Sequence, residues 1–81
     1  MLNVMIISPG RVIFEGQADS VILPGESGVF EALPFHRPLL SRLIGGEVVV
    51  GGSSLPIRRG IAKMEADTVT AIVEGARSDN V

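Results

Sequence analysis

The sequence has no cysteine, no tryptophan and no tyrosine, and it carries a single histidine, His36, and a single lysine, Lys63. Without cysteine there is no disulfide, no thiolate nucleophile and no cysteine-based zinc site, which removes redox chemistry at sulfur. With only three phenylalanines as aromatics, the chain lacks the exposed aromatic platforms on which β-sandwiches usually hold sugars. One histidine leaves few ways to pair a nucleophile with a base. The stretch Gly25-Glu26-Ser27-Gly28 does not have the G-x-S-x-G spacing of a nucleophile elbow, and Ser53 and Ser54 sit in a glycine turn. His36 is therefore read as a structural group, not a catalyst. Lys63 follows Ile61 and Ala62, so no G-x-x-x-x-G-K-[ST] phosphate loop exists, and no G-x-G-x-x-G occurs. Neither a cofactor nor tight ATP binding is expected.

Charge is equally sparse. Nine acidic and seven basic residues give a formal net charge of -2. The basic residues are spread along the chain, leaving no electrostatic footprint for nucleic acid. The carboxylates are scattered singly; Glu65 and Asp67, two apart, read as a solvated turn and not as an acid–base pair. No apolar run approaches the roughly 18 residues needed to cross a bilayer, and the apolar N-terminus has no basic flank or small-residue cleavage site. Membrane insertion is not expected.

What is present is a core. Of the 81 residues, 46% are apolar, enough for one small domain near the size at which a hydrophobic core becomes marginal. Short apolar runs at 2–7, 11–15, 18–23, 29–33, 47–50, 55–58, 61–65 and 68–74 are separated by Gly, Pro and Ser, the pattern of strands joined by tight turns. Alternation assigns faces. Val12 with Phe14, Val21 with Leu23, Phe30 with Ala32, and Val69 with Ala71 and Val73 are expected to point inward. Arg11, Glu15, Ser20, Thr70 and Glu74 take the other side. Two such sheets face to face make a sandwich, whereas a lone sheet leaves half of this apolar inventory wet. The fold class expected is all-β.

One segment reads differently. Over 37–44, Leu39, Leu40 and Leu43 fall at helical spacing behind Pro38, a residue suited to a first helical turn. A helix of at most two turns is expected there, either plugging one end of the sandwich or docking a partner. The Pro-bounded stretch 33–44 holds more apolar residues than one sandwich end requires, which favours a docking surface. The tail 75–81 is polar and is expected to be mobile.

The series Leu23-Pro24-Gly25, Gly28-x-Phe30 and Leu33-Pro34-x-His36-x-Pro38-Leu39-Leu40 is specific in order and spacing. With Ser8-Pro9, Val12, Phe14, Gly16, Val21, Gly46, Gly60 and Val69-Thr70, it resembles the N-terminal domain of ATP synthase epsilon subunits, called delta in mitochondria. The similarity covers about residues 2–74. It implies a flattened β-sandwich of about ten strands over 1–74, at the foot of a central stalk on the cytoplasmic face of a bacterial inner membrane. There the domain would hold the gamma subunit and rest on the polar loops of the c-ring, while catalysis belongs to other subunits. Carried over by position, His36, Leu40, Ser41 and Leu43 would lie near gamma, and the turn Glu26, Ser27, Gly28 and Val29 would face the c-ring. As an ordinary β-turn, the same residues would draw on positive φ at Gly25 and Gly28.

Several positions depart from the family pattern. Phe35 replaces the usual glycine, Arg37 the usual alanine, and Ile61 the usual aromatic after Gly60. The strand pair over 46–59 is short, so one hairpin is expected to be trimmed. After Glu74 the family commonly continues into a two-helix hairpin that binds ATP and brakes hydrolysis, and the given sequence lacks that segment; no epsilon-type brake is expected of it. The competing reading is a free-standing sandwich adaptor with some other partner, since a fold alone does not fix a function. From the absent phosphate loop, titration calorimetry with ATP should give no saturable, stoichiometric heat at micromolar affinity; such a heat would contradict this reading.

Overall fold

The computed structural model describes residues 1–35 and 37–75; His36 and residues 76–81, which include most of the tail, lie outside them. The described residues form eight strands: β1 (Leu2–Ser8), β2 (Arg11–Ala18), β3 (Val21–Gly25), β4 (Gly28–Ala32), β5 (Leu39–Leu43), β6 (Gly46–Val50), β7 (Ser53–Glu65) and β8 (Thr68–Gly75). The all-β expectation holds. Eight strands stand where about ten were expected, and the runs 55–58 and 61–65, read as separate, are one continuous strand.

Two layers follow from the pairing. One has the order β2-β1-β8-β7-β5, and β3 with β4 and β6 builds the other. All pairs are antiparallel except β1 with β8, which run parallel. β7 serves both layers. Its first part pairs with β6, from Val50↔Ser53 to Gly46↔Ile57. Its second part lies between β5 and β8. The change of sheet coincides with a register shift between Ile57 and Arg59, the extra residue and sharper bend of a β-bulge. A second link joins the layers where Gly25 of β3 meets Leu43 of β5.

The core lies between the layers. Leu2, Val4 and Ile6 of β1, Val69, Ala71 and Val73 of β8, and Ala62 and Met64 of β7 meet Val21, Leu23, Ala32, Val48, Val50 and Ile57 in one buried cluster. β1, β3, β6 and β8 contribute alternate residues, as the period of two requires. The inward faces expected for Val21 with Leu23 and for Val69, Ala71 and Val73 are observed; Ala32 is buried, with Phe30 partly buried against the core.

Three expectations are corrected. The segment 37–44 is not helical: its central part is β5, paired from Leu39↔Met64 to Leu43↔Gly60. Two turns are too few to nucleate a helix, and the free edge of β7 offers backbone hydrogen bonds instead. Val12 and Phe14 do not share a face. The register runs Ile6↔Phe14 and then Ile7↔Val12, so Ile13 is an extra residue that reverses the alternation. Val12 is 54% exposed, while Ile13 and Phe14 pack against the core. Finally, the run 18–23 is broken: Ala18 ends β2 and Val21 begins β3.

Gly60 sits where β7 is clasped from both sides. A Cβ added there would lie 2.5 Å from the Ile72 carbonyl oxygen and 3.1 Å from Val73 Cα, both backbone. Because those atoms belong to paired strands, they have little room to shift. Gly60→Ala should destabilise the fold by about 1–3 kcal/mol, read as a lower urea midpoint at unchanged slope; an unchanged midpoint would show that β8 yields.

Candidate functional site

The two groups of candidate residues are brought together. The β3–β4 hairpin closes at Gly25↔Gly28 around Glu26 and Ser27, and it is bound to β5 by main-chain hydrogen bonds. Glu26 N–H donates to the Arg42 carbonyl at 3.0 Å, and Ile44 N–H donates to the Pro24 carbonyl at 2.9 Å. Between the hairpin and β5 runs an open groove of about 460 Å³, lined by Glu26, Ser27, Gly28, Val29, Phe30, Leu39, Leu40, Ser41 and Arg42. Six of the eight residues proposed from the sequence line it. Of the other two, His36 lies outside the described residues, and Leu43 is in the core at 3% exposure.

Strand period explains the split on β5. Leu43 is two residues from Ser41 and four from Leu39, so these three share the side that turns inward at Leu43. Leu40 and Arg42 take the opposite side, and Leu40 is 70% exposed. Ser41 is partly buried, and its hydroxyl donates to the Arg42 carbonyl at 3.0 Å. In the hairpin, Gly28 has φ +134°, as expected for a glycine turn. Gly25 does not have positive φ. Its requirement is space: a Cβ would lie 2.7 Å from Phe30 Cε1 and 2.8 Å from the Gly28 carbonyl oxygen. Val29, on edge strand β4, is 73% exposed at the groove's rim.

A second surface was not singled out from the sequence. Register aligns Val12 with Ile7, Ile7 with Ile72, Ile72 with Ile61 and Ile61 with Arg42. These side chains form one row across the outer face of the five-stranded layer. Val12, Ile72 and Ile61 are about half exposed, at 54, 53 and 49%. The neighbouring row, Glu15, Met5, Thr70, Lys63 and Leu40, is mixed. On the other flank Arg59 Nε meets Glu74 Oε1 at 2.9 Å. The signal was available in 68–74, where Ile72 is an apolar residue on the parity otherwise held by Thr and Glu. The row ends at Arg42, which also lines the groove, so the two surfaces are continuous.

Among the described residues, no group of three or more His, Cys, Asp or Glu could hold a metal ion, and no helix is long and apolar enough to cross a membrane. The site's resources are apolar side chains, one guanidinium and an open hairpin. These fit contact with another macromolecule.

The family model for the β-sandwich domain of the ATP synthase delta/epsilon chain matches residues 1–79. The chain belongs to that family. Among curated relatives, it is 36% identical over 80 residues to the ATP synthase epsilon chain of Bordetella avium, covering 93% of this chain and 57% of that one. It is 33% identical over 85 residues to that of Leptospira borgpetersenii, covering 99% and 67%, and 37% identical over 79 residues to that of a Synechococcus strain, covering 93% and 58%. The chain thus spans between 57 and 67% of the length of these epsilon chains. A chain in the cryo-EM structure of the Tetrahymena thermophila mitochondrial ATP synthase central stalk and c-ring superposes with a TM-score of 0.75 at 14% identity. That match covers 90% of this epsilon-family domain and 63% of the other chain, and it extends the shared sandwich fold to a distant sequence.

The parity of β5 yields a paired prediction. Leu43→Asp places an uncompensated charge in the core of this domain and should cost at least about 3 kcal/mol or abolish folding. Leu40→Asp should change stability by no more than about 0.5 kcal/mol. Thermal unfolding of both variants is the check, and equal losses would mean that Leu40 is packed.

Proposed function

We propose that this chain is a central-stalk subunit of a rotary ATP synthase, joining a gamma-type shaft subunit to the membrane c-ring and supplying no catalytic group. In this reading the domain couples ion flow to ATP synthesis and is held at the cytoplasmic face of a bacterial inner membrane through the complex. The observation that carries it is the continuous surface, uncovered by any described residue, from Val12 on β2, through Ile7, Ile72 and Ile61, to Arg42 and the groove at the β3–β4 hairpin. A rotor joint needs two contacts on one rigid body, and the closed pairing of β7, β5, β3 and β6 makes the groove's walls part of that body.

The contacts divide by position. Leu40 and Ser41, with His36 nearby in sequence, are assigned to gamma. The hairpin tip, Glu26, Ser27, Gly28 and Val29, is assigned to the polar loops of the c-ring, for which an exposed carboxylate, a hydroxyl and open backbone are suitable partners. Leu43 is reassigned from contact to support, since its burial fixes β5 beneath the groove. Membership of the delta/epsilon family favours this reading over a free-standing adaptor.

The test is reconstitution of a synthase complex with and without this chain, following ATP hydrolysis and ion pumping together. Pumping should be restored when the chain is added, and Leu40→Asp and Ile72→Asp should each weaken association with gamma by tenfold or more while leaving the fold intact. Copurification with some other protein and no association with gamma would establish the adaptor reading instead.

A further inference from the structure

Phe35 combines three features that rarely coincide. Its φ is +65°, in the left-handed region that a bulky L-residue seldom occupies. Its side chain is 88% exposed. Its N–H is nevertheless held, donating to Asp67 Oδ1 at 3.1 Å across 32 residues of sequence. Asp67 is itself fixed, because its carbonyl accepts the Asn3 N–H at 2.7 Å in the turn between β7 and β8. The carboxylate therefore reaches from the rigid end of the five-stranded layer to the loop that enters β5. Ala66, just before it, also has positive φ, at 55°.

The ring gains no burial from this arrangement in the free domain, and the hydrogen bond needs only a backbone N–H, which any residue but proline supplies. A glycine would meet the same φ without strain and would remove an exposed aromatic surface. Strain that the surrounding structure holds in place, at a residue that presents a large apolar group, is the pattern of a preformed binding element. Other exposed apolar side chains are close to Phe35 in sequence: Leu33 is 47% exposed, and Leu39 and Leu40 on β5, at 39 and 70%, line the groove.

We propose that Phe35 is a preformed aromatic anchor whose ring inserts into an apolar pocket on the protein partner engaged by β5, and that Asp67 is the positioning residue that holds it in the left-handed turn. This rests on the reading of β5 as the gamma-facing strand. The anchor's chemistry is that of an interface hot spot, in which one aromatic fills a desolvated pocket and the backbone that presents it is ordered before binding.

The experiment measures gamma affinity and melting temperature for the chain and its variants. Phe35→Gly should raise the melting temperature by about 4–8 °C, the shift expected when one unit of strain is released in a domain of this size, and should weaken gamma binding at least tenfold. Phe35→Ala should weaken binding as much without that gain, because alanine keeps the left-handed penalty. Phe35→Tyr should bind as the parent does. Asp67→Ala should speed hydrogen exchange at the Phe35 amide and weaken binding although the ring is present; Asp67→Asn, which keeps the acceptor oxygen, should restore both. A Phe35→Gly chain that binds at parental affinity overturns the anchor, and one that gains no thermal stability overturns the strained latch. Leu40→Asp separates the two levels. If it weakens binding while Phe35→Gly does not, the anchor alone fails; if neither affects binding, the gamma-facing reading of β5 fails with it.

Discussion

Strand β7 is paired with β6 over 53–57, with β8 from Ile57 onward and with β5 over 60–64, so one continuous backbone carries both layers of the sandwich. The constraint this imposes is geometric. A strand can change sheets only by bending, and the bulge between Ile57 and Arg59 supplies the bend while returning the side-chain parity that each layer needs. Ile57 is buried before it, and Ala62 and Met64 after it. Closure then follows: β5 lies on the outer edge of the second half of β7 and reaches β3 at Gly25, so the ring β7-β5-β3-β6 has no loose strand between the layers. The groove's position is a consequence, because β5 and the β3–β4 hairpin are held at the seam where the layers meet.

Parity also explains why a small domain exposes so much apolar surface. In a layer with one wet face, alternate residues should be polar. The outer face here satisfies that rule at its Gln17, Asn3, Thr68 and Glu65 end and breaks it two rows away, at Val12, Ile7, Ile72 and Ile61. Folding does not need these side chains inward, since the inner face is already filled. Their placement in one register row, beside the exposed Arg59–Glu74 pair, gives a stripe with an apolar centre and a charged flank, the anatomy of a protein interface.

Much of this was legible in the residues, and what was not has identifiable causes. Val69, Ala71 and Val73 announced both a strand and its buried face, and the Leu23-Pro24-Gly25 to Gly28 spacing announced the hairpin. Ile13 hid its bulge because an extra residue in β2 has no chemical marker; only the partner strand reveals it. Leu39, Leu40 and Leu43 fit a helix and a strand almost equally, and the decision came from the edge of β7, which is distant in sequence. Of the candidate contacts, Leu43 was misplaced for the same reason: helical spacing puts it beside Leu39 and Leu40, whereas strand parity separates it from Leu40. Phe35 was visible as a departure from a usual glycine, but its meaning required the backbone angle.

Two non-glycine residues among those described occupy left-handed backbone, and they are not equivalent. Ala66 lies in a two-residue turn between Glu65↔Thr68, where β7 and β8 are paired almost end to end. There the hairpin itself demands the conformation, and the pairing on either side holds alanine in it despite the cost of its Cβ. Phe35 closes no hairpin: it lies in the connection between Ala32 and Leu39, where a longer path could relax the angle. What prevents relaxation is one hydrogen bond to a carboxylate that the neighbouring turn positions. The strain of the obligatory turn at Ala66 and the strain at Phe35 are thus connected through Asp67, whose backbone is tied to β1. A conformation that pairing does not require is thereby tied to one that it does, and the residue so held presents the most exposed large apolar side chain among those described.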